Sequence, residues 1–439
     1  MLHPRLRTLS LPAALTLFLL LLTAAPGIGV AQEPVTLRVW DQASGPEGAT
    51  YEAIYDAFME ANPNVTIERE VVTDQQMRQT ANVALGSGTG PDVLYYAPGP
   101  GYAGVLADAG LILPLDDLAE EYGWNERIAA AALEQAKIDG VLYGLPLEID
   151  LIGMYANRTI LDEEGWEIPE TIDELVAFCG EARDAGYIPM AFSNNPGWSA
   201  YHQFTFTSNN MIGPEAMYDL LFNHEGRWDT PEQIRAIESF FVDLRDAGCF
   251  SEDVNAITYD DGNALFFNGE AVLHSTGSWL ISDIEQNMPD AEIEFVPFPA
   301  VEGGQGRFWD SGLGSNWVLS SNSQHPEEAG RFLDFLISPE SVELWAEQAN
   351  TALPVTIDTS TLEASPLLTT VIEVLNSAAA GEIQLGYNID VLVPPELNDA
   401  MLTGFQAILA GDKTPEQQAA DMQAAWEEST AGSEATPTS

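Results

Sequence analysis

The sequence predicts an α/β protein with two lobes, each formed by a mostly parallel sheet flanked by helices. The chain has 439 residues, which is too many for one small hydrophobic core, so two lobes are expected. Short apolar runs rich in β-branched residues alternate with segments at helical spacing from residue 35 onwards. This alternation favours parallel strand pairing with helices on both faces of the sheet.

The first five elements follow one another without interruption. They are, in order, a strand at 35–40, a helix through 51–58, a strand at 65–72, a helix through 77–85 and a strand at 93–96. Asn62-Pro63 ends the first helix and a glycine-rich run at 86–90 ends the second. Three later helices begin with capping boxes, at Thr171, Thr230 and Thr414.

The two ends of the chain are predicted to lie outside this fold. Residues 1–31 carry Arg5 and Arg7, then an apolar run and a small-residue cleavage site, which indicates a signal peptide cut after Ala31. A membrane anchor is the alternative, and the apolar run is short for one. The residue directly after the cleavage point is Gln32 and not a cysteine, so the mature N-terminus is expected to carry no lipid. Residues 429–439 are predicted to be a disordered tail.

The formal net charge is −53, which excludes some partners. Such a field repels nucleic acid and anionic membranes. The acidic residues are spread along the chain, which favours a role in solubility, while a cationic ligand stays open. An exported chain can form a disulfide, but the sequence leaves open whether Cys179 and Cys249 pair.

Motifs of catalysis are missing from the sequence, which has no G-x-S-x-G, Walker, H-E-x-x-H or C-x-x-C pattern. The histidines have no metal-ligand spacing, so neither a metal nor a cofactor is predicted. Glu148 and Asp150 would face the same side of a strand, as an acid/base pair of a glycosidase might. With 68 acidic residues, such pairs arise by chance, so a binding protein is favoured over an enzyme.

Aromatic residues carry the clearest functional signal. Four tryptophans stand where strands give way to polar loops: Trp40, Trp198, Trp279 and Trp309. Tyr201 follows Trp198 closely. Sugar rings pack their C–H faces on aromatic planes, and ligands bind at the carboxyl ends of strands in open α/β sheets. A core position is the alternative for each ring, but four at loop mouths favour a carbohydrate site.

The order of several motifs resembles the bacterial extracellular solute-binding proteins of family 1, the sugar-binding components of ABC importers that include the maltose-binding protein. The motifs span nearly the whole mature chain. They are VTLRVW, ANPNV, GSGTGPDVLYY, AGLILPLDDL, VLYGLPLEIDLIGMYANRTIL, EEGWEIPETIDELVAFCGEARDAG, ALFFNGEAVLHSTGSW, VPFPAVEGG, HPEEAGRFLDFLISPES, ALPV and AGDKTPEQQ.

The resemblance implies a periplasmic binding protein of type II, with two lobes that close about a hinge upon a ligand. The first lobe would comprise 32–147 and 308–355, and the second 148–307 and 356–428. It also implies a periplasmic or secreted monomer without a membrane anchor, which delivers a carbohydrate, expected to be an oligosaccharide, to an ABC permease.

The same resemblance assigns ligand contacts residue by residue. The G-x-W motif gives Ser278 and Trp279, and the hinge gives Glu148 and Asp150. The first strand gives Trp40, Asp41 and Gln42, the third gives Tyr96, and the return to the first lobe gives Trp309 and Asp310. Asp390 stands where the family's maltodextrin binder has an aromatic residue, so maltodextrin specificity is not expected.

Three alternatives remain at this point. A polyamine or other cationic solute would suit acidic and aromatic residues. A ferric ion could use Tyr95 and Tyr96 as ligands. A secreted glycoside hydrolase could use Glu148 and Asp150.

Overall fold

A computed structural model describes residues 33–355 and 364–433. The predicted signal peptide at 1–31 lies outside these residues, as do residues 434–439 of the predicted tail. The last helix continues to Ser433, so the prediction of disorder for 429–433 is wrong.

The strands alternate with helices along most of the chain. In chain order they are β1 (Val35–Asp41), β2 (Val65–Val71), β3 (Val93–Tyr96), β4 (Lys137–Ile138), β5 (Val141–Leu142), β6 (Leu145–Pro146), β7 (Ile149–Asn157), β8 (Ile188–Ala191), β9 (Ala271–Gly277), β10 (Ile293–Val296), β11 (Trp309–Leu313), β12 (Asn316–Leu319) and β13 (Leu385–Tyr387).

The helices range from single turns to the long α9. They are α1 (Gly45–Ala61), α2 (Asp74–Gly86), α3 (Ala103–Asp108), α4 (Asp116–Glu121), α5 (Trp124–Arg127), α6 (Ala130–Gln135), α7 (Arg158–Glu164), α8 (Ile172–Ala185), α9 (Trp198–Phe222), α10 (Pro231–Glu238) with a π-helical extension (Ser239–Leu244), α11 (Tyr259–Phe267), a 3-10 turn (Ser278–Leu280), α12 (Ile281–Asn287), α13 (Pro326–Leu336), α14 (Pro339–Gln348), α15 (Pro366–Ala379), α16 (Pro395–Leu409) and α17 (Pro415–Ser433). Within the described ranges, no helix has the length and apolar character that a membrane span requires.

Two of the three predicted capping boxes form in full. The Thr171 hydroxyl accepts from the Glu174 amide while the Glu174 carboxylate accepts from the Thr171 amide. Thr414 and Gln417 exchange the same pair of bonds. Thr230 caps α10, but the Gln233 side chain instead accepts from a buried serine of α9.

The first lobe is built on a five-stranded sheet in the order β2-β1-β3-β12-β6. The strands β2, β1 and β3 are parallel, as predicted from the strand–helix alternation. Strand β1 buries alternate side chains, with Val35, Leu37 and Val39 inside. Its carboxyl end and that of β3 therefore lie at the same edge of the sheet.

The second lobe is built on a mixed sheet in the order β13-β11-β7-β9-β8, with β10 beside the far half of β7. Strand β7 is antiparallel to β9, β10 and β11. The prediction of a mostly parallel sheet is therefore wrong for this lobe. The physical reason is that β7 leaves the first lobe and β11 returns to it, so the two neighbours run in opposite directions.

The crossings between lobes differ in part from the predicted boundaries. The first lies between β6 and β7, near Glu148, where it was expected. The return was placed at 308, but Trp309–Leu313 pairs with β7 and β13 of the second sheet, so the chain re-enters the first lobe only at 314–316. Val355 still pairs with Ile128 of the first lobe, and the third crossing falls outside the described residues.

Each lobe has its own hydrophobic core. Two clusters cover the opposite faces of the first sheet, one around Trp317 and Trp345 and one beside α2, and two others cover the opposite faces of the second sheet. A disulfide joins Cys179 to Cys249 in the second lobe, with both cysteines fully buried. The pairing that the sequence left open is therefore present.

Candidate functional site

The crossings between the lobes form the floor of a cleft. Gly314 of the second crossing lies against the side chains of Glu148 and Asp150 from the first, so closely that a Cβ at residue 314 would overlap both. Farther out, the loop after β3 contacts the segment after β13, where Gly99 lies against the Val391 carbonyl. The lobes are therefore closed upon each other in this structure.

Four rings of the second lobe form one cluster, the aromatic platform: Trp198, His202, Tyr259 and Trp279. The ring centroids of Trp198 and Tyr259 are 4.7 Å apart, and those of Trp198 and Trp279 are 6.1 Å apart, edge to face. His202 contacts both indoles, at 5.1 and 5.4 Å. The Trp279 indole N–H donates to the Tyr259 hydroxyl at 2.7 Å. These contacts fix the planes of two partly exposed tryptophans.

The backbone beneath Trp279 explains the G-x-W motif. Strand β9 ends at Gly277, and Trp279 follows in a 3-10 turn. A Cβ at residue 277 would overlap the indole ring, which folds back over the glycine. Gly277 has an extended backbone (φ −110°) that any residue adopts, so glycine is needed here for close approach.

A small enclosed space lies behind the platform. It has a volume of about 10 Å³ and is lined by Trp198, His202, Tyr259 and neighbouring polar residues. This is room for about one water molecule and too little for a sugar ring. A ligand of sugar size therefore meets only the faces of the platform that look into the cleft.

Carboxyl groups occupy the floor of the cleft. Glu148 accepts a short hydrogen bond from the Tyr95 hydroxyl and a longer one from the Ser315 amide at 3.4 Å. Asp150 accepts from the Ser278 hydroxyl at 2.9 Å. Both side chains are thus held in place from the protein side, with Tyr95 in the first lobe and Ser278 in the second.

The electrostatics of this floor favour protonated carboxyls. Burial raises the pKa of Glu148. Burial, and then the charge of Glu148, raises the pKa of Asp150 well above its usual range. The same two causes raise the pKa of Glu47, in the first turn of α1, to about 8. A protonated carboxyl donates one hydrogen bond and still accepts others, so the floor can bind groups of either kind.

The first-lobe wall of the cleft is aromatic with one cation. Trp40, Tyr96 and Tyr102 pack in one cluster beside α2. The Arg78 guanidinium lies 4.0 Å from the centre of the Tyr102 ring, and its Nε donates to the Asp74 carboxylate at 2.8 and 2.9 Å. Stacking and the carboxylate together hold this guanidinium at the cleft.

Asp390 of the second lobe lies across from Arg78. It is 4% exposed, and its Oδ2 is 3.8 Å from Nε2 of His202. Among the described residues, Oδ1 has no hydrogen-bond partner. Burial raises the pKa of Asp390 to about 6, although the Arg78 charge opposes this, and burial lowers the pKa of His202 to about 3. His202 is therefore neutral at physiological pH, and Asp390 is available to accept a hydrogen bond.

The sequence model of the bacterial extracellular solute-binding protein family matches residues 42–343. This chain belongs to that family. As an extracellular solute-binding protein, it is periplasmic or secreted, and the resemblance on which the sequence analysis relied is confirmed.

Individual members of the family resemble the chain across most of its length. The multiple sugar-binding protein of Streptococcus mutans is 24% identical over 71% of this chain and 73% of its own. The alpha-glucosides-binding periplasmic protein of Rhizobium meliloti is 23% identical over 89% of this chain and 87% of its own. A solved structure of a chitin oligosaccharide binding protein has a TM-score of 0.79 at 22% identity, covering 91% of this chain and all of that one. The likeness to solved structures confirms the predicted type II fold.

Seven of the predicted contact residues belong to the groups described above. Glu148 and Asp150 lie at the crossings, Trp40 and Tyr96 in the cluster beside α2, Trp198 and Trp279 in the aromatic platform, and Asp390 beside His202. Gln42 is partly exposed just beyond β1. Trp40 also donates its indole N–H to Glu70 at 2.8 Å, so this ring is fixed from the first-lobe side.

Three other predicted contacts are structural. Asp41 is fully buried and its oxygens accept from Arg69, so it cannot reach a ligand. The buried Tyr201 hydroxyl donates to the Asn398 carbonyl at 2.8 Å. Ser278 is buried and uses its hydroxyl to orient Asp150.

Two more predicted contacts face away from the platform. Trp309 packs on Phe295 at 5.0 Å and over Gly153, on the side of the second sheet that α15 covers. Asp310 is fully buried between β11 and α9. Both predictions placed β11 in the first lobe; because this strand belongs to the second sheet, its side chains lie inside that lobe.

Sequence reasoning missed five residues of the site: Glu47, Arg78, Tyr102, His202 and Tyr259. Arg78 had one available signal, since it is the only basic residue of α2 in a chain with few cations. The others depend on loops and helices meeting in space, and no local pattern marks them.

The ferric-ion alternative does not fit the geometry. Tyr95 and Tyr96 are neighbours on β3, so their side chains point to opposite faces of the sheet. Tyr95 packs in the first-lobe core and Tyr96 in the cluster beside α2. Two phenols on opposite faces cannot bind one ion.

Proposed function

We propose that this solute-binding protein captures a carbohydrate in the interlobe cleft and delivers it to the membrane permease of an ABC importer. The observation that carries the proposal is the aromatic platform, whose Trp198 and Trp279 are partly exposed and whose Trp279 adjoins Ser278, the partner of Asp150 at the carboxyl floor. A sugar needs an apolar surface for its C–H face and directional partners for its hydroxyls. Both are present within one cleft.

The roles of the residues follow from their positions. Trp279, fixed by its bond to Tyr259, offers a plane for stacking. Asp390 Oδ1 accepts a hydrogen bond from a ligand hydroxyl, since a buried acceptor left unpaired costs about 1–3 kcal/mol. Glu148 and Asp150 bind hydroxyls at the floor, where the hinge brings both lobes to the same ligand.

Relatives support this choice of ligand. The Streptococcus mutans and Rhizobium meliloti proteins are named for sugars and alpha-glucosides, and another relative, from Pyrococcus abyssi, is named a maltotriose-binding protein.

The proposal includes export and a monomeric state. Residues 1–31 would be removed after Ala31, which leaves Gln32 as a mature N-terminus without a cysteine for lipid attachment. The closed monomer would dock on the permease. Intact-mass measurement of the exported protein tests the cleavage, and a mass beginning at Met1 would contradict it.

The ligand class is tested by thermal unfolding of the exported protein with maltotriose, a chitin trisaccharide, xylotriose and spermidine. A ligand that binds only the folded state raises the melting temperature by mass action, so a sugar of the panel is expected to raise it. A rise in melting temperature with spermidine alone would indicate that the carboxyl floor binds cations. Release of smaller sugars during incubation would indicate a hydrolase.

Trp279→Ala tests the platform, with Trp309→Ala as the matched control. Removal of a central aromatic contact is expected to weaken the sugar that binds wild type by about ten- to a hundredfold. Trp309→Ala also removes an indole from the second lobe, but on the other face of its sheet, so affinity should persist while stability falls. If the two variants bound the sugar with equal affinity, Trp279 would not be a ligand contact.

A further inference from the structure

A contact outside the platform joins the lobes on one side of the cleft. The first-lobe loop Pro98–Tyr102 follows β3, and the second-lobe segment Val391–Asn398 follows β13. A Cβ placed on Gly99 would overlap the Val391 carbonyl, so the two backbones touch directly. A gap this narrow leaves no room for a sugar ring between these two segments.

Gly101 lies at the same contact, where a side chain would not fit. Its Cβ would overlap Nδ2 of Asn398 and lie 3.2 Å from the Val393 carbonyl, both in the other lobe. Unlike Gly99, with φ +84°, Gly101 lies outside the left-handed region, so a side chain here is strained only by the partner lobe.

The second-lobe side of the contact is anchored from within. The Tyr201 hydroxyl, on α9, donates to the Asn398 carbonyl at 2.8 Å. The side chain of Asn398 is 7% exposed, and neither of its polar atoms finds a hydrogen-bond partner in the part of the chain that the structure describes. Closure thus buries an amide group without compensation, which is a cost that other interlobe contacts must offset.

A longer-range attraction between opposite charges adds to this contact. Arg78 stacks on Tyr102, the last residue of the loop, and is held by Asp74. Across the cleft lies Asp390, immediately before Val391. Opposite charges that meet only when the lobes close favour the closed form, and both residues lie next to the touching segments.

We propose that Pro98–Tyr102 and Val391–Asn398, with the Arg78 and Asp390 charges beside them, form an interlobe latch that stabilises the closed form. The apparent affinity of a ligand that needs the closed form falls with the fraction of molecules that are closed. The latch therefore affects affinity through the fraction of closed molecules. Gly99 and Gly101 themselves do not contact the ligand. The latch acts on lobe closure whichever solute is bound. Only its effect on sugar affinity rests on the proposed function.

A cysteine pair tests the latch without any ligand. The chain has two cysteines, and the native disulfide uses both. Gly101→Cys with Asn398→Cys places two thiols at the contact, where they are expected to form a second disulfide under mild oxidation. The control pair is Gly101→Cys with Thr403→Cys, since Thr403 is exposed farther along α16. The new bond is measured by intact mass and peptide mapping.

The outcomes separate the latch from the function. Rapid cross-linking of the 101–398 pair, at least about tenfold faster than the control, supports the latch, because disulfides need Cβ atoms about 4 Å apart. Free thiols in the test pair, or equal rates in both pairs, would overturn it. Failure of every sugar in the thermal panel would overturn the proposed function while leaving this result unchanged.

The charge component has its own test. Arg78→Met, added to the 101–398 cysteine pair, keeps the length of the side chain but removes its charge. Cross-linking is expected to slow by about fivefold, and Arg78→Lys should restore part of the rate. An unchanged rate with Arg78→Met would remove Arg78 and Asp390 from the latch.

Discussion

The two lobes each bury an aspartate completely, yet they stabilise it in opposite ways. Asp41, at the end of β1, accepts two bonds from Arg69 at 2.7 and 2.8 Å, one from the Tyr55 hydroxyl at 3.0 Å and one from the Ala43 amide at 3.0 Å. Asp310, on β11, has no hydrogen-bond partner for either oxygen among residues 33–355 and 364–433. Both side chains are 0% exposed.

The difference shows two responses to the cost of burying a charge. A buried carboxylate must be paired or lose its charge. In the first lobe a cation pairs with it. In the second lobe burial raises the pKa of Asp310 well above its usual range, so the group is neutralised by a proton. We therefore expect the first lobe to depend on an ion pair, and the second on pH and on its disulfide.

The largest expected effect is loss of the second-lobe disulfide. The bond spans 70 residues of sequence, and closing a loop of this size lowers the entropy of the unfolded chain by an amount worth about 4 kcal/mol. The double variant Cys179→Ala, Cys249→Ala should lose about this much stability in chemical denaturation. Hydrogen exchange should locate the loss in β8, whose Met190 amide donates to the Cys249 carbonyl at 2.9 Å.

The first lobe serves as the internal control. Amides of β1 and β3 should keep the protection that they have in wild type, because the two lobes have separate cores. Equal loss of protection in both sheets would mean that the lobes unfold as one unit, and the comparison between them would then fail.

Arg69→Ala gives the next largest effect, now in the first lobe. It leaves Asp41 buried without its cation, and breaking a buried pair by removing one partner costs about 3 kcal/mol or more. Protection of β1 and β2 in hydrogen exchange should fall, while β8 and β9 should be unaffected. The denaturation midpoint measures the size of the loss.

Arg158→Ala is the matched control for a lost guanidinium. Arg158 pairs with Asp162 one helical turn away at 2.7 Å, and both lie at the surface, where such pairs contribute little. Its midpoint should stay at the wild-type value. If Arg69→Ala behaved in the same way, the Asp41 pair would not stabilise the first lobe.

The sequence predicts the parallel half of the fold better than the mixed half. In the first lobe, local patterns suffice, because each strand is followed by a helix that returns the chain to the same edge of the sheet. In the second lobe, β7 and β11 are neighbours although more than 150 residues separate them. Their opposite directions follow from the two hinge crossings, which local patterns do not encode.

The same distinction explains which site residues were found. Trp279 and Glu148 stand in motifs that resemble those of the family, whereas Trp198 was found from its place in a polar loop. Asp310 and Trp309 were misplaced because one strand was assigned to the wrong lobe. Arg78 stacks on Tyr102, which lies in a loop 24 residues farther along the chain, and no local sequence pattern predicts that contact.

The smallest expected effect is that of Asp310→Asn on stability at high pH. Its sign is expected to be opposite to that of Asp41→Asn. The folded-state pKa of Asp310 is raised, so the stability that this group contributes is full below its unfolded pKa of about 3.9 and is lost as pH rises towards the folded value. Asp310→Asn removes the titration. It should therefore match wild type near pH 4 and be more stable than wild type at pH 8, measured as the difference between denaturation curves at the two values.

Asp41→Asn is the control, and it should act in the opposite direction. The substitution keeps the shape of the side chain but leaves the buried Arg69 guanidinium without its counter-charge, so stability at pH 8 should fall. Opposite signs for two isosteric changes would mean that burial alone does not determine what an aspartate contributes. If Asp310→Asn destabilised the protein as well, Asp310 would have to be ionised and paired, and the contrast between an ion-paired first lobe and a proton-dependent second lobe would be lost.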